Sequence, residues 1–241
     1  MADLHRFFYS GPLYKNNLVA LDEGASKHIW QVLRMQPDEK IILTDGKGHH
    51  AICTLYTAER HKCEVIVGTP EFTPRKDSLM HLCVAFTKNN SRNEWLLEKA
   101  TELGVSTITP IMAARSEKVH FRDERWEKLL TSALLQSQQF YMPELNEIMP
   151  VGDVLKKFCH ISNRYMAHLV EGQPRTPFAD VLPKGQDAVI LIGPEGDFRN
   201  DEVNLCISYG YKPVSLGLQR LRTETAALAA CAYFNMINDG I

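Results

Sequence analysis

The chain lacks most of the short motifs that announce a chemistry. It has no GxxxxGK[ST] phosphate loop, which excludes a P-loop nucleotide hydrolase. It has no G-x-S-x-G, so there is no nucleophile elbow. Nine histidines include no HExxH, and six cysteines (53, 63, 83, 159, 206 and 231) never pair as CxxC, so no metal site is expected. Cysteines set in apolar surroundings such as "HLCVAF" and "NLCISYG" read as buried thiols of a reducing compartment. No apolar run reaches membrane-spanning length and "MADLHRFFYS" lacks a signal-peptide core, so the expectation is a cytoplasmic protein without membrane contact. An excess of one charge is missing too. The net charge is -2, so no global basic field points to nucleic acid, and any basic face must come from local arrangement.

What is present is ordinary globular material, 44% hydrophobic and 23% charged over 241 residues, enough for two modest domains. The first 70 or so residues alternate apolar and polar positions in "KIILTDG", "HHAICTLYTAE" and "KCEVIVGTP", with a short helical pattern between Ala25 and Leu33. They predict a small β-barrel or meander. "TPEFTPRKDS" is the linker, which places domains at 1–73 and 74–241.

From Leu79 onward strand-like apolar runs alternate with helix-length segments, which predicts an α/β domain with a parallel sheet covered on both faces. The helix in "NNSRNEWLLEKATELGV" reads with Ser91 as its cap, Glu94 completing a capping box, and Gly104 as its stop. Strands are expected at "RYMAHLV", "DAVILIG" and "KPVSLG", and helices near 151–158, 201–209 and 223–237.

Open α/β sheets bind ligands beyond the carboxyl ends of their strands. Here those ends are "AHLV", "LIGPEGDF" and "VSLG". In "GPEG", Gly193 and Gly196 allow a ligand close to the backbone and Pro194 stiffens the chain, although a tight turn uses the same residues. "GKGHHA" at 46–51 fits a dinucleotide fingerprint in letters, but strand-like alternation follows it, so it reads as a hairpin turn. "LQRLRTETAALAA" opens an almost wholly apolar helix with Thr223 as the plain candidate cap.

Taken together, "HIWQVLRM", "FTKNNSRNEWLLEKATELGVSTITPI", "RSEKV", "LIGPEGDF" and "SLGLQRLRTETAA" resemble the bacterial 16S rRNA uracil-N3 methyltransferase family of the SPOUT superclass, in order and spacing, from about residue 5 to the C-terminus. The resemblance implies a C-terminal α/β methyltransferase domain tied in a trefoil knot and a PUA-like N-terminal β-barrel that binds RNA. It implies S-adenosylmethionine as methyl donor, 16S rRNA of the small ribosomal subunit as substrate, N3 of a specific uridine as acceptor, and a homodimer. The donor would be held by His168, Leu169, Glu171, Ile192, Gly193, Pro194, Gly196, Leu216, Gly217, Leu218, Leu221 and Thr225. Arg222 would favour the uracil anion or fix a neighbouring phosphate, and Glu224, or a water it orients, would act as base. Phosphate contacts would fall to Arg6, Arg34, Lys88, Arg92 and Arg115, although residues 1–77 hold ten basic and ten acidic residues. Departures from the family pattern are Asp197, where a second glycine is usual, Gln219 for arginine, Arg220 for an apolar residue, and Gln138-Gln139 where an arginine commonly ends a helix. Two other readings fit the same residues: another SPOUT enzyme acting on tRNA or a ribose 2′-oxygen, and a non-catalytic RNA-binding assembly protein.

Overall fold

A computed structural model describes residues 4–117, 123–169 and 175–239, and the chain divides into two compact units. Unit one comprises Met1–Arg75 together with Leu134–Met142, and unit two comprises Lys76–Ala133 with Pro143–Ile241. The linear boundary expected at residue 73 therefore misses the 134–142 strip. Nothing in its local periodicity marks it as part of the first unit.

Unit one carries β1 (Arg6–Phe8), β2 (Leu18–Ala20), α1 (Glu23–Lys27), β3 (Lys40–Thr44), β4 (His49–Thr57) and β5 (Glu64–Phe72). The strand order is β1-β3-β4-β5-β2, with β1 parallel to β3 and the other pairs antiparallel. Period-2 alternation sends Ile41, Leu43, Ala51, Cys53, Leu55, Val65 and Val67 to one face. Phe7 and Val19, from the two edge strands, reach that same core, so the sheet curls on itself. Among the described residues no β1–β2 pairing closes it, so the barrel is incomplete. α1 is capped by Asp22, whose side chain accepts from Ala25 N–H, and continues into a π-helical stretch, His28–Leu33, which Arg34 ends in the left-handed conformation (φ 53°). The 46–48 segment is the expected hairpin turn. Residues 134–142 lie against it: Met142 N–H donates to Gly46 O, Gly48 N–H to Phe140 O, and His50 stacks on Phe140 with 3.9 Å between ring centres.

Unit two is built on a parallel sheet. Its elements are β6 (Met80–Val84), α2 (Asn90–Glu102), β7 (Thr107–Met112), α3 (Asp123–Gln136), β8 (Glu144–Leu145), β9 (Met149–Pro150), α4 (Val151–Lys157), β10 (Asn163–Ala167), α5 (Phe178–Val181), β11 (Ala188–Ile192), α6 (Asn200–Ser208), β12 (Lys212–Val214) and α7 (Thr223–Asn238). The order is β12-β10-β11-β6-β7-β8, with β9 also on β7, and every pairing is parallel. β11, "AVILI", is buried at all five positions between β10 and β6, and each large side chain there contributes roughly 1.5–3 kcal/mol of burial. β12 is an edge strand, which is where Pro213 is tolerated. One face of the sheet packs on α4 and α6 through Val154, Leu155, Val203, Cys206 and Phe198.

α2 and α7 pack together, and α7 lies against β6 and β11. The predicted cap of α2 is displaced. Asn89, not Ser91, is the cap, accepting from Ser91 and Arg92 N–H, while Glu94 pairs with Arg125. Asparagine and serine are equivalent caps, so letters alone do not decide which starts the helix.

Candidate active site

Three loops leave the carboxyl ends of β10, β11 and β12 and surround one cleft of about 920 Å³. Ile192, Gly193 and Pro194 form one wall, His168 and Leu169 a second, and Leu216, Gly217, Leu218 and Leu221 a third. Arg222 stands on the rim. Ten of the expected ligand-pocket and catalytic residues thus converge. Thr223 joins two of the loops, since its hydroxyl donates to Gly193 O at 3.1 Å. Thr223 is the first residue of α7 and Arg222 its cap position, with no capping bond from the side chain, so the cap expected at Thr223 is replaced by this loop-to-loop bond.

Local geometry explains several residue choices. A Cβ at Gly193 would sit 2.9 and 3.0 Å from ring carbons of the buried Phe198, so only glycine fits. Gly217 has φ +137°, a conformation side chains rarely adopt. Its loop is held by Ser215, whose hydroxyl donates to Gly217 O (2.8 Å), and by Arg175, whose guanidinium donates to Leu218 O (3.1 Å). Asp197 occupies the left-handed region (φ 61°), the physical reason a glycine suits that place.

Asp197 is also tied across the cleft: both carboxylate oxygens lie 3.1 Å from His168 Nδ1. Burial alone would raise its pKa. The bonds from His168 and Phe198 N–H, with the charges of His168 and Arg115, outweigh that and hold it below the usual carboxylate value.

Other expected residues are placed differently. Thr225 is exposed and does not line the cleft, because its position on α7 turns it away from the Thr223 side. Gly196 faces a smaller neighbouring cavity with Arg115, whose guanidinium donates to Gly196 O at 2.7 Å. Glu171 lies outside the described residues. Glu224 is buried and does not line the cleft; its Oε1 is 3.7 Å from Arg92 Nε, and its Oε2 has no hydrogen-bond partner among the described residues. Arg92 in turn lines the cleft, so Glu224 lies one residue behind its wall.

The five expected phosphate contacts divide. Arg92 lines the cleft and pairs with Glu195 (3.1 Å) and Glu224. Arg115 is spent on the Gly196 turn. Arg6 bonds Gln138 O and lies over the Phe140 ring at 4.5 Å, which anchors the 134–142 strip. Lys88 and Arg34 are exposed. By contrast, Arg175, Ser215 and Asp197 belong to the cleft and were not expected there. The partners of Arg175 and Asp197, Leu218 O and His168, lie 43 and 29 residues away and leave no local signal. No cluster of three or more possible metal ligands occurs among the described residues, and no described helix is long and apolar enough to cross a membrane.

A parallel α/β domain whose strand-end loops enclose a cleft with both arginines and carboxylates, carried with a curled β module, is the build of an enzyme that binds a zwitterionic or charged small molecule. A family model described as RNA methyltransferase domain matches residues 74–235, and one described as RNA methyltransferase PUA domain matches residues 21–68. The chain belongs to the RNA methyltransferase domain family, as its motifs implied, and its first unit is PUA-like. Curated relatives include proteins named ribosomal RNA small subunit methyltransferase E from Bacillus subtilis, 29% identical over 222 residues (86% of each chain), and from Buchnera aphidicola, 27% identical over 226 residues (89% of each). Among solved structures, a probable rRNA-methyltransferase from Porphyromonas gingivalis superposes with a TM-score of 0.90 at 34% identity, covering 98% of this chain and 99% of that one. A ribosomal RNA small subunit methyltransferase E from Neisseria gonorrhoeae bound to S-adenosyl methionine has a TM-score of 0.85 at 27% identity, covering 98% of each chain.

Proposed function

We propose that the protein transfers the methyl group of S-adenosylmethionine to N3 of a uridine in 16S rRNA of the small ribosomal subunit. The protein is a ribosomal RNA methyltransferase that uses this donor, in line with its relatives over nearly the whole chain. The observation that carries the reading is the convergence of the GPEG and LRTET segments on one cleft, joined by the Thr223–Gly193 bond. The residues present fit the donor. Ile192 and Leu216 offer apolar surface to a base, the glycine-bearing loops offer backbone groups to its edge, and both signs of charge lie on the walls.

The donor supplies an electrophilic methyl on sulfur. In the transfer the N3–H proton would pass to water, the N3–C bond would form as the methyl–sulfur bond breaks, and the donor would leave as a neutral thioether. Because N3 is a weak acid, a cation against O2 or O4 is needed to favour its anion. Arg222 is suited to this: it is exposed on the rim, and its guanidinium makes no hydrogen bond or ion pair among the described residues. N3 is a pairing atom, so the target base must be unpaired or turned out of its stack. In this reading the strand-end loops are threaded as the trefoil knot of the SPOUT superclass. α7, apolar along much of its length with Met236 59% exposed, contributes to a homodimer, and the work is done in the cytoplasm.

The test is to incubate the protein and labelled donor with undermodified small subunits and map the modified base. Methylation at uracil N3 is expected, and Arg222→Ala should cut the rate more than tenfold, or about 1.4 kcal/mol in the barrier, with donor affinity unchanged. Label on a ribose, on tRNA or nowhere would overturn the reading.

A further inference from the structure

The cleft wall carries two carboxylates and four arginines: Glu195 and Asp197 against Arg92, Arg175, Arg220 and Arg222. Glu195 is paired with Arg92 at 3.1 Å. Asp197 is different. It accepts from Phe198 N–H at 2.8 Å and, across the cleft, from His168 Nδ1 at 3.1 Å, a partner that carries charge only when protonated, unlike the arginine that faces Glu195. The arginine whose charge acts on it is Arg115, and that guanidinium is already directed at Gly196 O. Half of the Asp197 side chain is exposed (52%), and its left-handed backbone fixes where the carboxylate points. Asp197 therefore keeps a negative charge on the wall of a pocket otherwise dominated by arginine.

We propose that Asp197 makes the cleft prefer the sulfonium donor over the neutral thioether product, so that spent donor is exchanged for fresh by charge. This rests on the assignment of the cleft to S-adenosylmethionine. Donor and product share the adenosine, the amino group and the carboxylate; they differ in the methyl group and the single positive charge on sulfur. Shape contacts discriminate only by one methyl group. A fixed carboxylate acts on the charge itself, and at cleft distances in a half-solvated wall one unit of charge changes affinity by about three- to tenfold.

Titration calorimetry tests this with the wild-type protein, Asp197→Asn and Asp197→Gly, each against S-adenosylmethionine and S-adenosylhomocysteine. Asparagine tolerates the left-handed backbone and keeps hydrogen-bonding capacity while losing the charge; glycine suits the backbone best and covers the case in which the asparagine variant folds poorly. The expected result is that both variants lose about three- to tenfold in donor affinity, while thioether affinity stays within about twofold. Equal weakening of both ligands would place the charge on the amino group they share and overturn the proposal, as would an unchanged ratio. If the wild-type protein binds both ligands and the ratio does not move, only this inference fails. If it binds neither, the assignment of the cleft fails with it.

Discussion

Replacing Gly193 by alanine tests how tightly the cleft is built. The added Cβ would lie 2.9, 3.0 and 3.4 Å from three carbons of the Phe198 ring, which is 2% exposed and packed in the core with Val203 and Cys206. The ring cannot swing away, so either the core is strained or the turn moves. Overpacking of this kind costs about 1–3 kcal/mol, which for a unit of this size lowers Tm by roughly 3–8 °C. If the turn yields instead, a shift of about 0.5 Å would stretch the 3.1 Å Thr223–Gly193 bond beyond useful length and open the join between the two loops. Both routes weaken donor binding. Phe198→Leu makes room for the methyl group, so the double variant should recover at least about 1 kcal/mol relative to the sum of the single changes. Thermal unfolding and calorimetric titration with S-adenosylmethionine, on the parent, the two single variants and the double, give the complete cycle. A Gly193→Ala protein matching its parent in both measurements, or strictly additive changes in the double variant, would refute the packing argument.

Two further outcomes follow from buried groups. Asn93, 1% exposed, receives Thr87 N–H at 2.9 Å and donates to Thr87 O at 2.8 Å, so Asn93→Ala strands two buried backbone groups; a loss of at least about 2 kcal/mol, seen as a fall in Tm, is expected, and no change would show the groups find other partners. Of the six free cysteines only Cys159 is exposed, and burial pushes Cys206 and Cys231 up to about 12, so a thiol reagent at neutral pH should label one cysteine rapidly and six only after unfolding; two or more fast sites in the native protein would contradict the packing.

Much of this architecture can be read from letters. The continuous apolar run of β11, the stripe Leu96, Leu97 and Ala100 on α2, and the return of strand-like segments after helix-length gaps lead to the parallel sheet, because burial on both faces leaves no polar alternation. Motif order leads to the cleft. What stays hidden depends on distance along the chain. His168 and Asp197 are 29 residues apart, Thr223 and Gly193 are 30 apart, and Arg115 and Gly196 are 81 apart. Each pair consists of residues with ordinary local explanations. Arg115 looks like a solvated cation until its carbonyl partner is seen, and Glu224 looks like a helix-start acid until its burial beside Arg92 is seen. Local periodicity encodes which side of an element is buried; it does not encode which loop meets which.

The strip at 134–142 has a consequence for how the chain comes into being. The first unit ends at Arg75 and then recruits nine residues made much later, with Phe140 beneath His50 and the Arg6 guanidinium, and Met142 bonded to Gly46. During synthesis, a nascent chain that has reached Arg75 lacks that missing piece, and the faces of His50, Arg6 and Gly46 that it covers stay open to water. A fragment cut at the linker inherits the same defect permanently. The unit that comes earlier in the chain is thus among the later parts to be finished.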